Sequence, residues 1–242
     1  RNHLLSHGLG DWYDIGPGAP GESKLTTKGV TATAIYYHDL TILAQVASLL
    51  GHATDAAQFA GLARQVREAF NLKFFGAESN QYDRGSQTAN AMPLVFGLVA
   101  EERQGAVLAN LIADIRARRN HLTAGDVGFR YLLMALERAR RSDVIYDLTS
   151  QTDAPSYGHQ LQQGVTALTE AWDGDRRSSQ NHCMLGHAEE WFYSGLIGLH
   201  PEPTRVGFGE ITLRPELVGD LTWVQGSHQS IRGLIASRWE RK

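Results

Sequence analysis

Residues 31–70 read TATAIYYHDLTILAQVASLLGHATDAAQFAGLARQVREAF, and this stretch decides the fold class. Ile35, Ile42, Leu43, Val46 and Leu50 recur at helical spacing, and Gly51 supplies a stop. Thr54-Asp55 then offers an N-cap for a second helix carrying Phe59, Leu62, Val66 and Phe70. A connection this short makes the two helices antiparallel neighbours. The same punctuation recurs downstream. Ser86 to Phe96, Glu101 to Arg118, Val127 to Ala139 and Ser142 to Thr149 each read as a helix. Asn181 to Leu196 reads as a last one, with Met184, Leu185, Ala188, Trp191, Phe192 and Leu196 on its apolar side. The pattern predicts a mainly α chain of about seven helices in antiparallel pairs.

After Gly198 the composition changes. Ile211-Thr212-Leu213, Leu221-Thr222-Trp223-Val224 and Leu234-Ile235-Ala236 are short β-prone runs separated by Pro215, Gly219-Asp220, Gly226 and Gly233. They predict strands beginning near Gly207, and a division into a helical region 1–200 and a β-region 201–242. Three or so strands are too few to close a sandwich or barrel, so the antiparallel β-domain is expected to be incomplete.

A hydrophobic content of 42% and a charged content of 20% over 242 residues suffice for a folded globular chain. With a formal net charge of −3 and no clustering of Lys and Arg, the chain carries no electrostatic footprint for nucleic acid or an anionic membrane. No apolar run approaches the ~18 residues of a membrane span. Its partner is therefore expected to be uncharged. A single cysteine, Cys183, excludes an intrachain disulfide framework and reads as a small buried apolar residue. The chain opens on Arg1-Asn2-His3 without an initiating Met, so a leader could lie upstream and the compartment stays open.

Segments 10–30, 76–86, 119–126 and 151–180 are rich in Gly, Asp, Tyr, Trp and Gln, the residue types that bind and catalyse when a rigid scaffold carries them on loops. Within Ala167-Leu168-Thr169-Glu170-Ala171-Trp172-Asp173-Gly174, Glu170 and Asp173 flank an indole. A carboxyl beside an aromatic suits sugar chemistry, because the acid handles protons and the ring packs on the sugar's C–H face. A helix-end Glu beside a structural Trp is the plainer account. In Ser178-Ser179-Gln180-Asn181-His182, Asn181 reads as a helix cap, while His182 either joins it or donates to a substrate hydroxyl. Asp11 and Trp12, in the glycine-flanked run Gly8 to Asp14, line a sugar subsite or form a turn with an anchoring aromatic. Tyr82, Tyr157 and Trp172 add loop aromatics to the subsite reading. His187, Glu189 and Glu190 lack the His-x-x-x-His spacing of a zinc site, and no Gly-x-Ser-x-Gly elbow is present.

Taken in order, Gly10-Asp11-Trp12, Ser86-Gln87-Thr88-Ala89, His121-Leu122-Thr123, Pro155-Ser156-Tyr157-Gly158, Leu168 to Gly174, Gln180-Asn181-His182 and Glu190-Trp191-Phe192-Tyr193 resemble the α-L-rhamnosidases of glycoside hydrolase family 78. The tail from Gly207 through Arg214-Pro215 to Trp239 resembles the start of that family's C-terminal β-domain. The resemblance implies part of an (α/α)6 barrel and hydrolysis of terminal α-L-rhamnosides with inversion. It implies Glu170 as the general base, His182 as a rhamnose contact, and Asp11 and Trp12 as a pocket-lining loop; Trp172 and Tyr157 join them as candidate sugar-binding aromatics.

The family's general acid lies upstream, so this chain is expected to begin and end inside a longer enzyme, to depend on the remainder of that parent chain and to be inactive by itself. The expected partner is an L-rhamnose-containing glycoside or polysaccharide. No cofactor and no metal are expected: some members carry calcium, but no Asp-x-Asp-x-Asn-Gly loop occurs here. The chain departs from many members in having Thr169-Glu170-Ala171-Trp172 for Trp-Glu-Arg-Trp and Pro155-Ser156-Tyr157-Gly158 for Pro-Ser-Trp-Gly, which bears on fine substrate preference. Two other readings stay in play. One is a different (α/α)6 glycosidase, an α-L-fucosidase or a glucan-acting enzyme. The other is a non-catalytic carbohydrate-binding or scaffold module, against which Glu170 and His182 argue together, since a binder has no use for a water-activating base.

Overall fold

The computed structural model describes residues 3–242. Helices α1 (Lys28–Leu49) and α2 (Ala53–Phe74) form the first hairpin, closed by Gly51 at φ 79°. A side chain there would be strained in the left-handed region, so glycine is what ends α1 and reverses the chain. A two-residue hairpin, β1 (Phe75–Gly76) with β2 (Gln81–Tyr82), leads to α3 (Gln87–Phe96). The Ser86 hydroxyl caps α3 by accepting from Ala89 N at 3.1 Å, and Gly97 at φ 72° ends it. There follow α4 (Glu101–Ala117), α5 (Gly128–Arg138) and α6 (Ser142–Thr149).

Helix α3 packs between α4 and α5 and also meets α1. The largest core cluster unites Leu111 and Ile115 of α4, Phe129, Leu132 and Leu136 of α5, and Ile145 and Leu148 of α6 with Trp172 and Trp191. A second joins Val30 and Ala34 of α1 to Phe70, Tyr82 and Met92. Each such aliphatic or aromatic side chain contributes roughly 1.5–3 kcal/mol on burial.

The face of α1 differs from expectation. Ile35, Ile42, Leu43, Val46 and Leu50 are between 37% and 65% exposed, whereas Val30, Thr31, Thr33, Ala34, Leu40 and Ala47 are buried. Small side chains let α2 and α3 approach closely, and the larger apolar stripe is turned away from them.

The expected helix from Asn181 to Leu196 is also corrected. Residues 183–185 make a single 3₁₀ turn, Ala188–Trp191 one α-helical turn (α8), and Phe192–Leu196 a π-helical turn. Two causes are visible. Asn181 sits in a bend and His182 is extended, held across from the Glu170 segment where His182 N donates to Leu168 O at 2.8 Å and Glu170 N to Ser179 O at 3.0 Å. Further on, the Trp191 indole lies against Gly195, where any Cβ would collide with it, and its Nε1 donates to Ser142 Oγ at 2.9 Å. Asn181 is therefore not a helix cap, and Cys183, read as buried, is exposed at the surface turn. A short helix in the preceding connection, α7 (Tyr157–Gln162), gives eight α-helical segments among the described residues.

Strand β3 (Leu199–Pro201) pairs antiparallel with β4 (Ile211–Leu213), so the sheet begins ahead of Gly207. Strands β5 (Trp223–Ser230) and β6 (Gly233–Glu240) form a hairpin with no further partner strand among the described residues. This hairpin is fastened to the end of the helical region: Trp239 Nε1 donates to Leu196 O at 2.7 Å and Ser237 Oγ to Ile197 O at 3.1 Å.

Candidate active site

Three connections meet at one place: 10–27 before α1, 119–127 between α4 and α5, and 163–182 before the last turns. The first is folded on itself by Asp14, whose buried carboxylate accepts from Lys24 N at 2.8 Å and Leu25 N at 2.7 Å. Asp11 ties it to the second. Its fully buried carboxylate accepts from Gly125 N at 3.0 Å, Gly128 N at 2.7 Å and the Thr88 hydroxyl. Gly125 and Gly128 are required by this closeness, since a Cβ at Gly125 would enter the main chain of Trp12 to Asp14, and one at Gly128 would strike Thr88. The neighbouring Gln87 secures the same connection, with its Oε1 accepting from Thr123 N at 2.7 Å and its Nε2 donating to His121 O at 3.2 Å.

Trp12 joins all three. Its carbonyl accepts from Asp126 N at 2.7 Å, and its indole Nε1 donates to Glu170 Oε1 at 3.3 Å. The other carboxylate oxygen of Glu170 accepts from Ser179 N at 3.3 Å. Glu170 is half-buried, and so is His182, whose Nε2 lies 3.5 Å from Asp126 Oδ2. Asp126, Glu170 and His182 each present a possible ligand atom, and these atoms all lie within 4.8 Å of one another. The three could hold a divalent cation, although any ion there would occupy the Glu170 carboxylate.

Burial dominates the electrostatics. It pushes Asp11 up to about 6 against the hydrogen bonds from Thr88, Gly125 and Gly128, which favour the ionised form, and the nearby Asp14 charge adds to the rise. Burial likewise pushes Asp126 up to about 7; His182 opposes the rise, while the charges of Glu170 and Asp11 reinforce it.

Glu170, His182 and Trp12 thus come together. Asp11 stands behind them as a fully buried clamp and offers no surface to a ligand. Trp172 is corrected from sugar platform to core: it is 1% exposed, donates from Nε1 to Ala124 O at 3.1 Å, and packs edge-on to Phe129 and Tyr157 with centroids 5.0 and 5.2 Å away. Tyr157 packs beside it and is half-buried. Its hydroxyl donates to Leu185 O and its ring sits in the same aromatic cluster, where burial raises its pKa. Tyr82 is fully buried and donates to Asn71 Oδ1 at 2.6 Å. Asp173 is exposed. His187 and Glu190 pair at 3.4 Å, and Glu190 also meets Arg130 at 2.9 Å on the solvated face. Asp126 was missed because an Asp just ahead of a helix ordinarily reads as a cap; here it makes no cap bond, and Val127 holds that position.

Residues 1–196 match the family described as bacterial alpha-L-rhamnosidase 6 hairpin glycosidase domain. The chain belongs to the bacterial α-L-rhamnosidase family. Residues 198–242 match that family's C-terminal domain. The chain is 30% identical to an alpha-L-rhamnosidase of Streptomyces avermitilis, over 97% of its own length and 22% of the relative's. It superposes over 100% of its length on a crystal structure of Streptomyces avermitilis alpha-L-rhamnosidase complexed with L-rhamnose, with a TM-score of 0.88, 28% identity and 23% of that chain covered. The alpha-L-rhamnosidase from Dictyoglumus thermophilum gives a TM-score of 0.89 at 31% identity, with 100% of this chain and 27% of that one covered. The chain therefore spans about a quarter of the length of the rhamnosidases it matches.

Proposed function

We propose that these residues form part of the catalytic site of an inverting α-L-rhamnosidase that releases terminal α-L-rhamnose from glycosides or polysaccharides. In this reading residues 1–200 are the partial (α/α)6 barrel and residues 201–242 open the C-terminal β-domain. Glu170 removes a proton from a water that attacks the anomeric carbon on the face opposite the leaving group. His182 and Trp12 contact the sugar, and the general acid comes from sequence outside residues 1–242. The observation that carries this reading is the setting of Glu170: a half-buried carboxylate held by the Trp12 indole and Ser179 N, with His182 alongside. The L-rhamnose bound by the Streptomyces avermitilis relative supports the choice of sugar. An inverting pair keeps its carboxyls about 6.5–9.5 Å apart to admit the water. Asp126, with an oxygen within 4.8 Å of Glu170, is too close to be that partner.

The test uses the full-length protein. Glu170→Gln keeps the side-chain shape and loses proton abstraction, so kcat is expected to fall about 10²–10⁴-fold while L-rhamnose affinity changes far less. Azide needs no deprotonation, and in Glu170→Ala it should restore turnover and give a β-L-rhamnosyl azide. Near-normal kcat in Glu170→Gln, or azide rescue of Asp173→Ala instead, moves the base elsewhere. Turnover of an aryl α-L-fucoside or α-glucoside but not of the rhamnoside rejects the sugar. Rhamnose binding without hydrolysis at any pH favours a binding module.

A further inference from the structure

We infer that Asp126 is a positioning residue, which holds the His182 imidazole by Nε2 and leaves Nδ1 as the ring nitrogen that meets the substrate. This inference rests on the reading that His182 contacts the sugar. Two buried aspartates lie a few residues of space apart, and they are treated very differently. Asp11 has three donors and behaves as a structural clamp. The Asp126 side chain is only 5% exposed, its Oδ1 has no hydrogen-bond partner among the described residues, and its Oδ2 meets His182 Nε2 at 3.5 Å, with a Glu170 carboxylate oxygen within 4.8 Å of the pair. A buried carboxyl oxygen left without a partner costs stability, which a purely structural role does not explain.

The backbone beneath Asp126 is fixed with unusual thoroughness. Its own N–H bonds Trp12 O, and the amides of Gly125 and Gly128 on either side are both gripped by Asp11. The carboxyl is therefore carried on a rigid base. His182 is set from the opposite side, by the 2.8 Å bond from its N–H to Leu168 O, two residues from Glu170. A carboxyl at one ring nitrogen fixes both the tautomer and the orientation of an imidazole, so the proton held between Oδ2 and Nε2 decides what Nδ1 offers to a hydroxyl. The polar contact of the His182 ring is made at Nε2, with Asp126 Oδ2 at 3.5 Å, and the half-buried ring keeps its other nitrogen for a ligand in this reading.

A double-mutant cycle in the full-length protein tests this. L-rhamnose affinity by calorimetry and kcat/KM on an aryl α-L-rhamnoside would be measured for Asp126→Asn, Asp126→Ala, His182→Ala and the two doubles. Each Asp126 variant is expected to lose roughly 10–100-fold in kcat/KM, the scale of removing a group that orients a ligating histidine, and to weaken rhamnose binding. In the His182→Ala background the same substitutions should change either quantity less than about threefold, because their effect runs through the imidazole. Additive losses would overturn the inference, as would Asp126 variants within threefold of wild type in both quantities. A tightly held divalent cation that chelator removes, and that Asp126→Asn no longer retains, would replace it with a metal site. Affinity for rhamnose is read without turnover, so failure of Glu170 as base in its own variant leaves this test intact.

Discussion

Asp11→Ala removes one acceptor that serves three donors, and the structure sets the size of the effect. The amides of Gly125 and Gly128 and the Thr88 hydroxyl lose their partner in a place from which water is excluded. Each buried donor left unsatisfied costs about 1–3 kcal/mol. Against that stands the relief of no longer burying a carboxyl whose pKa burial has already driven up to about 6. The net expectation is roughly 2–4 kcal/mol lost locally, or about a 30- to 700-fold fall in protection at 1.4 kcal/mol per tenfold. Hydrogen exchange read by mass spectrometry on peptides covering residues 123–129 of the full-length protein measures it, since local opening sets that exchange. Asp11→Asn retains an oxygen for some of the donors but turns an amide toward another, so its loss should be near tenfold, about one unsatisfied bond. Peptides from α1 and α2 should exchange as in wild type. If residues 123–129 of Asp11→Ala exchange within threefold of wild type, the clamp is not what holds this connection.

Two further outcomes are expected. Asp126 and Asp11, at about 7 and about 6, hold protons in the folded state that an unfolded Asp, near 3.9, has already released. The folded state therefore binds more protons between roughly pH 4 and 7, so stability of this region falls as pH rises through that window. Protection of residues 123–129, corrected for intrinsic exchange, should decline from pH 5 to 8, and Asp126→Asn should flatten the decline; a rise in the wild type refutes it. Residues 1–242 expressed alone should associate through the exposed apolar side chains of the first hairpin, Ile35, Ile42, Leu43, Val46 and Leu50 with Leu49 at 85% exposure and Leu72 at 91%, and should show no rhamnoside turnover. A monodisperse monomer in sedimentation velocity, or measurable hydrolysis, would contradict this.

What could be read from the sequence depended on how far each determinant reached. Helix α6 runs from Ser142 to Thr149 as its spacing predicts, and Gly51 acts as the stop it reads as, because those signals are local, whereas α2 begins at Ala53, ahead of the Thr54-Asp55 cap signal. The last helix was misread because distant partners act on it: the Leu168–Glu170 segment that recruits Ser179 and His182, and Ser142, which holds the Trp191 indole that lies over Gly195. Site chemistry shows the same limit. That Glu170 and His182 would neighbour each other follows from a separation of a dozen residues and a shared connection. Asp126 could not be placed beside them without knowing where Trp12 and Asp11 fall. For Trp172 the residue type suggested a platform, but only the packing of Phe129 decides that its face points inward.

The indole bond from Trp12 to Glu170 spans 158 positions of chain, the Tyr13–Ser178 bond 165, and the Asp11–Gly128 bond 117. Such spans have a consequence for biosynthesis. At about 5–20 residues per second on the ribosome, Trp12 leaves the tunnel roughly eight to thirty seconds before Glu170 can reach it. The early helical hairpins can form from near neighbours in that interval, but the cluster of Trp12, Glu170 and His182 cannot. A nascent chain interrupted before Ser179 would carry most of the helices but lack both His182 and the Ser179 amide that holds Glu170.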